Sequence, residues 1–108
     1  MSLSLPHAIS TYFAINNGAD IANVKHCFTA DAVVFDEGKT HQGHVAIEAW
    51  QRAAQAAFDY SVEPLQILTD GDRVTVTSNV VGNFPGSPVV LKHTFGLVGD
   101  KINTLEIV

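Results

Sequence analysis

Apolar residues recur at two different intervals along this chain, and the interval changes near its middle. In the first half they sit three and four apart. Ile9 and Phe13 are one such pair, and Ala8 and Tyr12 are another, which predicts a short amphipathic helix over residues 6–16. Pro6 suits the first turn, where its missing N–H needs no partner. Asn17-Gly18 ends the helix, because both residues tolerate a left-handed stop. Asp20 then caps a second helix, with Ile21, Val24 and Phe28 on one stripe, and Thr29-Ala30-Asp31 turns out of it. Ala32–Asp36 reads as the first strand, and residues 37–43 as a polar loop with two glycines. A third helix is expected over 44–58. Val45 or Ile47, Trp50, Ala54, Ala57 and Phe58 fall at its helical spacing, and its alanines favour helix.

The second half alternates instead. Ser61–Thr69 reads as a strand kinked at Pro64, and Asp70-Gly71-Asp72 turns the chain. Arg73–Phe84 is rich in valine and threonine, a β-forming composition. Pro85-Gly86-Ser87-Pro88 is a turn, Val89–Val98 a strand, Gly99-Asp100 a turn, and Ile102–Val108 the last strand. Helices first and a long antiparallel meander afterwards predict an α+β fold, with helices on one face of a curved sheet.

Composition narrows this picture. At 108 residues, with no repeat and no linker, one domain is expected over 1–108. The apolar fraction of 46% argues against disorder, and no run approaches the roughly 18 apolar residues of a membrane span. The charged fraction is only 16%, which leaves apolar surface to line a pocket or an interface. Six basic residues are scattered among eleven acidic ones, for a net charge of −5. No basic stripe exists to grip phosphates, so neither nucleic acid nor an anionic membrane is an expected partner. Cys27 is the sole cysteine, which excludes an intramolecular disulfide and a cysteine-based metal cluster within one chain. The N-terminal segment does not read as a secretory signal, and a cytoplasmic location is the expectation.

The stretch 32-AVVFDEGKTHQGH-44 poses the chemical question, since it carries a carboxylate at the end of a buried run. Either the strand surfaces there or the charge is wanted inside. The segments around it decide how the question is framed. A first helix ending in Asn-Gly precedes 27-CFTADAVVFDEG-38, and 43-GHVAIEAW-50 opens the third helix. The hairpin 70-DGDRVTVT-77 and the ending 99-GDKINTLEIV-108 follow. In order and spacing this resembles the NTF2-like (cystatin-like) superfamily, and within it the SnoaL-like and ketosteroid isomerase-like groups. The resemblance spans nearly the whole chain. It implies a cone in which three N-terminal helices pack on a curved, mostly antiparallel sheet around a deep apolar pocket. Members of this superfamily include isomerases, cyclases, dehydratases and non-catalytic binders, so function must be argued from the pocket.

Three residues carry that argument. Asp36 stands where the isomerase pattern has its general base, and a carboxylate at the mouth of an apolar cavity loses hydration and gains proton affinity. The rival reading makes Asp36 and Glu37 the start of a solvated loop. Tyr12 precedes Asp36 by the interval that separates tyrosine and base in that pattern, where the tyrosine donates to the oxygen that gains charge. Its rival reading is a rim tyrosine on the helix stripe. In 91-LKHTFGL-97, His93 stands where the isomerase has a protonated aspartic acid. It departs from the pattern and opens a second possibility, an acid–base pair with Asp36 of the dehydratase kind, while its rival reading is a partly exposed strand histidine bonded to backbone or water. Phe13, Phe28, Phe35, Trp50, Phe58, Phe84 and Phe95 are candidate ligand-binding walls or core. His41 and His44 invite a metal reading that their loop placement disfavours, so no metal and no organic cofactor is expected. Arg52 and Arg73 read as surface.

The expected activity is proton transfer next to a carbonyl, on an apolar small molecule. A non-catalytic binding or dimerisation module and a cofactor-independent dehydratase are its rivals. A homodimer is expected from the resemblance, formed through the valines and threonines of the outer sheet face.

Overall fold

Alternating burial along the second half builds the sheet that positions everything else. On β4 (Arg73–Gly82) the inward side chains are Val74, Val76, Ser78 and Val80. On β5 (Val89–Val98) the deepest are His93 and Phe95. The computed structural model describes residues 4–108. Among these, six strands form one sheet in the order β2-β1-β6-β5-β4-β3. The other strands are β1 (Phe28–Asp36), β2 (Lys39–Gln42), β3 (Tyr60–Asp70) and β6 (Lys101–Ile107). Neighbours run antiparallel except β1 and β6, which are parallel. The helices α1 (His7–Asn16) and α3 (Gly43–Ala57) cover one face. Helix α3 lies mainly on β1 and β2, while α1 reaches β3 and β6. Three helices on a curved, mostly antiparallel sheet make the α+β architecture expected.

Helix α1 carries no acidic or basic side chain except the terminal His7, and it buries Ala8, Ile9, Tyr12, Phe13, Ile15 and Asn16. That is a broad face, fit for the interior of the cone rather than its surface. The chain leaves it through Gly18, whose φ of 111° admits a residue without Cβ. Asn17 then clamps the free edge of the sheet. Its Nδ2 donates to the Val62 carbonyl at 2.9 Å, and its Oδ1 accepts from the Val62 N–H at 2.7 Å. A side-chain amide thus stands in for a neighbouring strand.

Four sequence expectations change here. The second helix is a 3-10 turn, Ile21–Asn23, running into α2 (Val24–Cys27), with Asp20 accepting from the Ala22 N–H at 2.9 Å. Phe28 has already left the helix. Residues 29–31 are not a turn but the irregular start of β1, where the register against β6 shifts. Asn103 holds that irregularity by donating to Thr29 and Asp31 at 2.9 and 3.3 Å. The polar segment 37–43 is not a loop. Glu37 and Gly38 take φ of 52° and 74°, a tight hairpin turn whose twist suits the flanking strands, so β2 pairs with β1. Finally, β4 stops at Gly82 rather than Phe84. A Cβ at Gly82 would press on the Asp59 carbonyl oxygen and lie 2.7 Å from Tyr60 Cβ, so the strands close only over a glycine. The kink at Pro64 is present as a register shift before Gln66 on the edge strand β3.

The core joins Ile9, Tyr12, Phe28, Ile47, Phe95, Ile102 and Leu105, all at or below 1% exposure. No helix among the described residues is long and apolar enough to cross a membrane.

Candidate functional site

Period-two alternation answers the question raised by the carboxylate. Ala32 and Val34 are fully buried, so Asp36, two residues further on, points to the same inner face. It does not enter a filled core. The inner face opens there into a cavity of about 510 Å³. Helix α1 lends it Tyr12 and Asn16, and α3 lends Trp50, Gln51 and Ala54. The sheet contributes Val62, Val80, Leu91, His93 and Ile107. Phe58, Tyr60, Phe84 and Pro85 stand around it, and Asp36 and Glu37 close one side. Hydrogen bonds between Asp59 and Asn83 at 2.9 and 3.0 Å hold the segment bearing Phe84.

Three smaller depressions of about 210, 280 and 290 Å³ are also present, two of them sharing wall residues with the cavity. Phe35 lines two of them, because it neighbours Asp36 on a strand and must face the opposite way. It is 44% exposed on the outer face and forms no part of the cavity wall. Phe13, Phe28 and Phe95 are also absent from the wall. They are buried behind it, with Phe13, Phe95 and the Tyr12 ring meeting edge to face at 5.2–5.9 Å. Of the seven aromatic candidates, Trp50, Phe58 and Phe84 line the cavity. Val45 is largely exposed, and the inward stripe of α3 is Ile47, Gln51, Ala54 and then Phe58.

Tyr12, Asp36 and His93 line this one cavity together. Trp50 Nε1 donates to Asp36 Oδ2 at 3.1 Å, which orients the carboxylate. Burial pushes the Tyr12 hydroxyl far above the usual phenol range; Asn16 partly offsets this, and Tyr60 and the Asp36 charge add to it. Tyr12 therefore keeps its proton and is able to donate a hydrogen bond only as a neutral hydroxyl. His93 is 3% exposed, stacked on Phe95 at 6.2 Å, and burial pushes its pKa down to about 4. At neutral pH it is an uncharged imidazole. Its Nδ1 has no partner among the described residues, and no ion pair joins it to Asp36.

Sequence reasoning missed Asn16, Gln51 and Tyr60. Tyr60 Oη donates to Asn16 Oδ1 at 3.3 Å, and Asn16 Nδ2 donates to the Tyr12 carbonyl at 3.2 Å. The available signal was a glutamine inside an apolar helical stripe. His41 and His44 diverge: His41 stacks on Trp50 at 5.7 Å, and His44 Nε2 donates to the Phe28 carbonyl at 2.9 Å. No group of three or more His, Cys, Asp or Glu side chains gathers among the described residues. Cys27 is fully buried, and burial pushes its thiol up to about 12. Arg52 is exposed and pairs with Glu48 at 3.3 Å, while Arg73 lies on the outer face.

Residues 9–101 match the model of the SnoaL-like domain. A Sinorhizobium meliloti protein provisionally named a polyketide cyclase is 43% identical, with 96% of this chain and 95% of that one aligned at a TM-score of 0.92. A Catenulispora acidiphila protein of ketosteroid isomerase-like fold, solved with trimethylamine, is 20% identical over 97% of this chain and 86% of its own, with a TM-score of 0.85. An Agrobacterium tumefaciens protein provisionally named an isomerase of the SnoaL-like family is 17% identical over 93% and 92%, with a TM-score of 0.78. The last two likenesses show the fold alone. No curated protein matches the chain.

Proposed function

The chain belongs to the SnoaL-like domain family, and on that premise we propose that it is a small-molecule enzyme moving a proton next to a carbonyl. The observation that carries the reading is the meeting of Tyr12, Asp36 and His93 at one cavity. Asp36, aimed by Trp50, takes a proton from the carbon beside the carbonyl. The electron pair left behind moves onto the carbonyl oxygen. Tyr12 and the neutral His93 donate hydrogen bonds to that oxygen as its charge grows. Such preorganised donors contribute about 3 kcal/mol each in a site shielded from water. Asp36 then returns the proton at another carbon, or the enolate carbon attacks a second carbonyl of the same molecule, whose π bond breaks as the ring forms, and Asp36 gives its proton to the resulting alkoxide. The same first step serves an isomerase and an aldol cyclase, and the cyclase name of the 43% identical relative is in keeping with it.

A direct Asp–His dehydratase pair is less well supported, since no ion pair or hydrogen bond links His93 to Asp36 among the described residues. The reading includes a homodimer. The outer sheet face exposes Phe35, Leu68, Val81 and Val90, apolar surface suited to a second copy.

The test is exchange of α-protons for deuterium in a cyclic ketone such as 2-tetralone, followed by NMR. The native chain should accelerate exchange. Asp36→Asn should remove at least about 100-fold of the acceleration, and Tyr12→Phe a comparable share. Equal rates with and without the protein across a series of cyclic ketones would leave a binding module as the better account.

A further inference from the structure

Gln51 has no part in the proton transfer described above, yet it is the most conspicuous polar group in the cavity. It is 1% exposed, and neither Nε2 nor Oε1 has a hydrogen-bond partner among the described residues. Other polar side chains of α3 are occupied. Gln55 Nε2 donates to the Ile15 carbonyl at 3.0 Å, and Trp50 Nε1 donates to Asp36. Gln51 sits in the inward stripe with Ile47 and Ala54, where an apolar side chain of similar length would avoid two unpaired polar atoms. Stability alone gives no reason for an amide there. Ser78 also carries an unpaired hydroxyl, but it is not part of the cavity wall.

The rest of the wall bears on what the amide meets. It includes the carboxylates of Asp36 and Glu37 and no lysine or arginine. An anionic molecule would enter against two like charges with no counter-charge to receive it. An amide presents one donor and one acceptor side by side, and it pairs best with a group offering the reverse.

We propose that Gln51 is the residue that reads the ligand, and that the ligand is a ring-sized molecule without negative charge carrying an adjacent donor and acceptor, as in a lactam or a hydroxy-ketone. The inference rests on this cavity being a binding site and is independent of the chemistry assigned to Asp36. Binding energy held in reserve by unpaired groups is released only when the right partner arrives, and an analogue lacking one of the two groups leaves an atom unpaired.

The probes are 2-quinolone, which has the paired donor and acceptor, its O-methyl analogue 2-methoxyquinoline, which lacks the donor, and the anion 2-naphthoate. Calorimetry on the native chain should show 2-quinolone bound about tenfold more tightly than 2-methoxyquinoline, and 2-naphthoate not bound. Gln51→Met should abolish the preference while still binding 2-methoxyquinoline. It should also melt at least about 4 °C higher, because two unpaired polar atoms are gone. Gln51→Leu repeats the measurement with a different shape. The proposal is overturned if the native chain binds neither quinoline at millimolar concentration or shows no preference. It is likewise overturned if Gln51→Met keeps the preference, or if both variants melt lower, which would mean the amide has a structural partner. A failure of the exchange assay on the native chain with the preference intact removes the proton-transfer reading and leaves this one standing.

Discussion

His93 shows how one buried side chain ties the site to stability. In the folded chain it accepts a proton only near pH 4, because its surroundings are the rings of Tyr12, Phe13 and Phe95 and burial disfavours the charge. Unfolded, it protonates near the ordinary histidine value of about 6.5. Between these values the unfolded chain binds more protons than the folded one. Stability is therefore whole above about pH 6.5 and falls as the pH drops toward 4. The loss attributable to this residue is at most about 3 kcal/mol. Urea unfolding at pH 7 and pH 4.5 should show it, and His93→Gln should flatten that part of the profile. A profile unchanged by the substitution would mean the imidazole reaches water in the folded state. The same burial keeps His93 neutral where the proposed reaction needs a neutral donor.

The joint between α1 and β3 decides whether the cavity has a stable wall. Asn17 occupies both hydrogen-bonding groups of Val62 on the edge strand, and Val62 and Tyr60 of that strand line the cavity. Asn17→Ala leaves one N–H and one C=O of the edge exposed to competing partners. We expect a loss of about 1–2 kcal/mol in denaturant unfolding. Asn17→Asp, which keeps the acceptor and loses the donor, should fall between the two. Equal stability of all three chains would show that the edge is held by its ladder to β4 alone. The Glu37-Gly38 turn matters in the same way, since it aims β2 back along β1 and brings Glu37 to the cavity side by side with Asp36.

For the whole molecule the open surface is the outer face of the sheet. Val81, Val90, Leu68 and Phe35 lie there at 46, 56, 68 and 44% exposure, apolar side chains available to a second copy. With the dimer proposed above, sedimentation at micromolar concentration should give about twice the 11.6 kDa chain mass. Val90→Lys should shift the population to monomer without changing the far-UV spectrum. A native chain that sediments as a monomer at that concentration would set the dimer aside.

The periodicities of the sequence were enough for most of the elements and their order, but not for β2 or for the broken second helix. Helical spacing marked α1 and α3, and alternation with Gly and Pro punctuation marked β3 to β6, because these signals are local and follow from backbone geometry. The placing of Asp36 on the inner face was also implicit in the two-residue repeat from Ala32. What only the tertiary structure decided was which inward side chains meet space and which meet each other. Phe28 and Phe95 alternate as correctly as His93, yet they are packed shut, whereas Trp50, Phe58 and Phe84 border the cavity. Phe35 was lost to the outer face by the very repeat that admits Asp36. The hairpin at Glu37-Gly38 stayed hidden because a non-glycine residue adopts positive φ there, which depends on pairing with a distant partner strand. Gln51 stood in plain view as an amide in an apolar stripe. Its unpaired state emerges only when α1, α3 and the sheet are brought together, since hydrogen-bond satisfaction is a property of neighbours in space.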